Sequence, residues 1–171
     1  MGCKEFGQHS QEDDCPHEAT SVSQYSPGPV ANAETLARQI FTPHHIDVAT
    51  GEVNAAAFSD AKDKGLSVNR VEHTTKADLV ARGQQKAVAA QQAGKEREFV
   101  GIIESSCADI RAIQSSGRRA FCVIDTALED NTSHADVCQV PLSPKDGRSA
   151  RKALMDVFSK KPTKPDDYTD S

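Results

Sequence analysis

Arg118–Asp125, RRAFCVID, is the stretch on which the fold turns. Phe121, Cys122, Val123 and Ile124 form an unbroken apolar run that begins after Gly117. A short run of this kind predicts a strand buried on both faces. It ends in Asp125 and Thr126, and the polar loop beyond carries Asp130, Asn131, Ser133 and His134.

Upstream, Glu98–Glu104 predicts a strand, with Phe99, Val100, Ile102 and Ile103 apolar on both faces and Gly101 between them. Cys107–Ile113 is expected to be the next strand, although Ile110 and Ile113 also suit a helical turn; as a strand it makes 99–104, 107–113 and 119–125 an antiparallel meander. Leu66–Val71 alternates, which places Leu66, Val68 and Arg70 on one face. A buried arginine must find an anion, and Glu72, Glu104 and Asp125 are the expected partners. Leu36, Ile40 and Phe41 suit a short helix, while Leu36, Arg38 and Ile40 suit a strand; both readings stay open. Pro43 ends this element, and Ile46 and Val53 flank a turn at 49–52 like the arms of a small hairpin.

Thr75 with Asp78 three residues on is a capping signal for a helix over 75–93, closed by Gly94. Val137, Val140 and Leu142 predict a last edge strand. Ser143-Pro144 then starts a terminal helix that buries Ala150, Ala153, Leu154, Val157 and Phe158. The fold class is α+β: a mainly antiparallel sheet of about five strands with two packing helices. One domain is expected over 34–159. The arm at 1–33 is polar and nearly without large apolar side chains, so it is expected to be disordered, as is the Lys-, Pro- and Asp-rich tail at 160–171.

The net charge is −5, and residues 1–33 hold one Lys against five acids. An acidic balance argues against broad nucleic-acid binding. No apolar segment approaches the ~18 residues of a membrane span, so no membrane partner is expected. Five cysteines without a CxxC, and a polar N-terminus, favour a reducing compartment and a cytoplasmic protein in which Cys122 is a small core hydrophobe. Cys3, His9, Cys15 and His17 match no zinc module, so neither a metal nor a cofactor is expected.

The candidate chemistry is carried by His134 and Asp125 as catalytic groups and by Arg70, Asn131 and Ser67 as ligand-binding groups. His134 could act as a general acid or base, Asp125 could orient it, and Arg70 could clamp a carboxylate or phosphate. The His44/His45 pair is a further candidate. Phosphate loops, HExxH and GxSxG elbows are not found. Two functions follow as expectations. The first is a small soluble intracellular binding or accessory domain acting through a protein partner. The second is an enzyme or ligand-binding domain for a small anionic, nucleotide-like molecule gripped by Arg70 beside Asp125 and His134.

Overall fold

The computed structural model describes Cys3 and residues 15–170. The expectations for His9 and for the other residues before Cys15, Cys3 excepted, therefore lie outside the described residues. In chain order the elements begin with β1 (Thr35–Thr42), a 3-10 helix (Ala55–Lys62), β2 (Leu66–Arg70) and α1 (Lys76–Gln92). They continue with β3 (Glu98–Ser106), α2 (Cys107–Arg111), β4 (Gln114–Ser115), β5 (Arg118–Arg119), β6 (Phe121–Asp125), β7 (His134–Gln139) and α3 (Pro144–Val157). The five-stranded sheet has the order β3-β1-β2-β7-β6 with every pair antiparallel, and β4–β5 is a separate two-stranded ribbon. The α+β class with a mainly antiparallel sheet holds.

Two expectations are corrected. Residues 107–111 are helical rather than a strand, because the Ser106 hydroxyl accepts from Asp109 N–H at 3.0 Å and caps a turn that buries Cys107 and Ile110. The meander is also absent. β3 and β6 lie at opposite edges of the sheet, and β7, expected at an edge, is inserted between β2 and β6. The alternation of Leu36, Arg38 and Ile40 decides β1 as a strand, fully paired with β3.

One face of the sheet presents Leu36, Ile40, Leu66, Val68, Ala135, Val137, Phe121 and Val123 to the 3-10 helix, α2 and α3. The other face is covered at one end by α1, through Leu79 and Val80 against Ala37, Ile102 and Phe99. At the other end it is covered by Cys3 and Cys15 against Cys122, Ile124 and Cys138. Both cysteine contacts are disulfides, Cys3–Cys138 and Cys15–Cys122, with Cα–Cα separations of 5.1 and 5.8 Å. Cys122 is thus a cross-link rather than a plain core hydrophobe, and Cys107 is the free cysteine, buried.

The cross-link anchors residues 15–33 as packed coil where a floppy arm is expected. An edge strand with open N–H groups invites pairing with another chain. Here Glu18 covers β6: its carboxylate accepts from Val123 N–H and pairs with Arg111 and Arg119. The tail is also packed. Thr163 bridges Ile102 in both directions, and Tyr168 is buried with its hydroxyl on the Glu104 carboxylate.

Gly101 makes the close approach of this tail to β3 possible. Its φ is +150°, and a Cβ there would collide with the Thr163 carbonyl. Gly101→Ala is expected to cost about 1–3 kcal/mol through overpacking. It should also open the segment after residue 160 to limited proteolysis, and an unchanged digestion pattern would refute this account of the contact.

Candidate functional site

Arg70 is 1% exposed at the end of β2, on the face of Leu66 and Val68. Its partner is Glu34, which none of the sequence expectations named. Nε and Nη2 donate to the two Glu34 carboxylate oxygens, both at 2.6 Å. Nη1 and Nη2 also donate to the carbonyls of Gly28 and Pro29, at 2.6 and 3.2 Å. Burial would raise the Glu34 carboxyl, but hydrogen bonds from Arg70 and Ala31 N–H, with the Arg70 charge, hold it below its ordinary value. Asp125 lies 3.6 Å from Arg70 Nη1 and is occupied by Ser21, Ser26 and Ala127 N–H. These donors occupy both carboxylates, and the guanidinium is held by Glu34, Asp125 and the two carbonyls.

Arg70 and Asp125 therefore meet, but His134 does not join them. His134 pairs in register with Asn69 and shares the opposite face with Ser67. The sheet separates His134 from Arg70 and Asp125, so the expected constellation of the three does not converge on one site. Asn131 is drawn into a buried knot: its amide donates to Asn69 Oδ1 at 2.8 Å, and Ser133 Oγ donates to its carbonyl at 2.7 Å.

Ser67 and His134 do face a groove between α1 and the sheet. A cavity of about 620 Å³ is bounded by Ser67, Arg82, Lys86, Asn131 and His134. A second, of about 270 Å³, is bounded by Arg38, His45, Asp60, Ser67, Lys86 and Arg97. Ser67 and Lys86 are common to both, so the two form one groove. The smaller pocket exists because β1 and β2 pair only at Leu36–Arg70 and Ala37–Asn69. Beyond that point the strands diverge, and the side chains of β1 reach into the gap.

This pocket is cationic. Arg38 is 7% exposed and is held by Nε on Ala57 O at 2.8 Å and Nη1 on Ser67 O at 2.9 Å. Desolvation pushes its pKa down to about 10, against the pull of Asp60 and Asp136, so it stays charged at neutral pH. Lys86 Nζ donates to Gln39 Oε1 at 2.7 Å. Its pKa is lowered by desolvation of the ammonium and by Arg38, Arg82 and Arg97. The Arg97 guanidinium lies 5.1 Å from the centre of the Phe41 ring. Among the described residues, ion pairs are made by Arg70, His73, Arg111, Arg119 and Lys152, none of them in this pocket. His45 accepts from Phe41 N–H through Nδ1. Desolvation, then Arg38 and Arg97, push its pKa down to about 4. His44 does not line the pocket, so the expected His44/His45 pair is divided.

Sequence reasoning missed Arg38, Lys86 and Arg97. A signal existed for Arg38, which alternates with Leu36 and Ile40 as Arg70 does with Leu66 and Val68. As for metal ligands, Glu18 lies beside Cys15 and Cys122, but those sulfurs are bonded to each other and Glu18 is committed to two arginines. No helix among the described residues is long and apolar enough to cross a membrane. Comparison of the chain with family models, with curated proteins and with solved structures finds no match.

Proposed function

We propose that this chain is a binding domain for a small anionic molecule, taken up in the groove between α1 and the sheet. The anionic group, a carboxylate, phosphate or sulfate, sits on Arg38, Lys86 and Arg97. The supporting observation is the convergence of these three cations, with Asp60 as the opposing acid, on one pocket. Like charges held together at low dielectric repel, and an anion relieves that cost. Of the two expectations from sequence, this keeps the anionic ligand and moves it from Arg70 to the gap where β1 and β2 diverge, which Arg38 and Asp60 enter from one face and Lys86 of α1 from the other. The two disulfides favour an oxidising compartment over the expected cytoplasm. A protein partner is the second reading, favoured by the exposed apolar side chains of Val22, Tyr25 and Leu128 around a shared surface cavity.

Sulfate is a suitable probe because it does not titrate between pH 4 and 7. Calorimetry at constant ionic strength should detect sulfate binding. Arg97→Gln and Lys86→Gln should each weaken it by at least about tenfold, since a hydrogen bond to a charged group contributes roughly 1.5–3 kcal/mol. Wild-type affinity equal to that of both variants would sink the reading.

The pH dependence has a definite sign. His45 faces Arg38, Arg97, Asp60 and His44, and in the free protein its pKa is about 4. An anion that offsets Arg38 and Arg97 raises it part of the way toward its ordinary ~6.5, since desolvation, the larger cause, remains. The complex then holds more protons than the free protein between these values. Affinity for sulfate should therefore rise as pH falls from 6.5 toward 4, and His45→Gln should flatten that rise.

A further inference from the structure

The floor of the same groove carries an ordered chain of hydrogen bonds. His134 Nε2 lies 3.2 Å from Ser67 Oγ. His134 Nδ1 lies 3.1 Å from the Thr126 carbonyl oxygen and 2.9 Å from Thr126 Oγ1. Thr126 Oγ1 in turn lies 2.9 Å from Asp136 Oδ2. With a neutral imidazole, one set of proton positions satisfies every contact. A carbonyl can only accept, so Nδ1 carries the ring proton. Nε2 is then a free lone pair that accepts from the Ser67 hydroxyl. The Thr126 hydroxyl donates to Asp136 and is left to accept from Nδ1–H.

The sheet register builds this chain. Ser67 pairs with Asp136, and Asn69 pairs with His134, so Ser67, His134 and Asp136 project from one face of two adjacent strands. Thr126 follows the last residue of β6, the next strand over. Ser67 is half-buried and borders both cavities, where its oxygen can meet a ligand seated on the cationic pocket.

We infer that Ser67 is a nucleophile and His134 its general base, in a site that hydrolyses small esters bearing a negative charge. The inference rests on the proposed groove, whose cations hold the charged end of the substrate. In the first step Ser67 Oγ bonds to the ester carbonyl carbon while Nε2 takes the hydroxyl proton. Lys86 borders both cavities with Ser67, and in this step it supplies positive charge to the oxyanion while Arg38 and Arg97 hold the substrate's charged end. The carbon–alkoxide bond then breaks, and Nε2 returns the proton to the departing alcohol. Water repeats the sequence on the acyl-serine, releasing the acid and restoring Ser67. Thr126 and Asp136 are positioning residues: they fix the tautomer and hold the imidazolium.

The test uses a fluorophosphonate probe read by intact mass and peptide mapping, together with turnover of the p-nitrophenyl monoester of succinic acid. One adduct per chain, mapped to Ser67, is expected. Ser67→Ala and His134→Gln should abolish the adduct and lower kcat/KM by at least about a hundredfold, the scale of general base catalysis. Thr126→Val should lower kcat with KM unchanged and shift the acidic limb of the pH profile, and Thr126→Ser should restore both. A wild-type protein that binds sulfate but takes no label overturns the hydrolase inference and leaves the anion-binding reading standing. Label or turnover that persists in Ser67→Ala also overturns it. Labelled Ser67 in a protein that does not bind sulfate overturns the anion-binding reading instead.

Discussion

Arg70→Met should lower the unfolding free energy by about 3–5 kcal/mol, as expected when one partner of a buried ion pair is removed and the other is left uncompensated. Glu34 is 8% exposed and Asp125 2% exposed, and both would lose their cation. The Gly28 and Pro29 carbonyls would lose a donor as well. The double variant Arg70→Met with Glu34→Leu should be more stable than Arg70→Met alone, because it buries no orphaned Glu34 charge. Urea denaturation followed by circular dichroism measures both. The pH dependence separates this from a simple packing defect. In the wild type the Glu34 pKa is lowered in the folded state, so its contribution is present above the ordinary value of 4.5 and is lost as pH falls. In Arg70→Met burial dominates and raises the folded pKa above the unfolded one. The penalty is then present at neutral pH and is relieved on acidification. The two stabilities should converge as pH falls toward 4. Parallel curves would show that Arg70 acts through its bulk and not its charge.

This bridge shows how far the sequence could be read. Alternation with Leu66 and Val68 is a local property, and it correctly placed Arg70 on a buried face with a need for an anion. The identity of that anion was not local. Glu34 lies just before β1, and it reaches Arg70 because β1 pairs beside β2 at Leu36–Arg70. The same alternation marked Arg38, but only the divergence of β1 from β2, which no period of two can show, turns Arg38 into a pocket. Ser67 and His134 were both recognised as chemical groups, whereas their link depends on a register across two strands 67 residues apart in sequence. The apolar pattern of 107–113 suited two periods, and the Ser106 cap chose the helix. β6 looked like a central strand because it is buried on both faces. It is an edge strand whose burial comes from a disulfide-bonded arm that composition alone assigned to disorder.

Breaking the Cys15–Cys122 disulfide should have an effect of similar size. The bridge spans a sequence separation of 107. Cys3–Cys138 already joins the chain around it, so the loop this bridge closes runs through 3–15 and 122–138, and in the chain-entropy account a loop of roughly 30 residues stabilises by about 3–4 kcal/mol at 25 °C, through the unfolded state. Cys15→Ser with Cys122→Ala should show this loss in urea titrations, and full reduction, which also opens Cys3–Cys138, should cost more. The consequences extend beyond the bond itself. The arm it holds supplies Glu18 to Arg111, Arg119 and the edge of β6, Ser21 and Ser26 to Asp125, and two carbonyls to Arg70. Loss of the bridge should therefore couple to Arg70→Met, and the two destabilisations should add to less than their sum by more than about 0.5 kcal/mol, the scatter expected for independent sites. Cys107 should not intervene in the reduced protein. Burial pushes its thiol up to about 11, so at neutral pH it is neither ionised nor accessible for exchange. Strict additivity would mean that the arm merely lies against the sheet. Coupling would mean that the arm and the buried bridge form one cooperative unit, anchored by the cysteine in the middle of RRAFCVID.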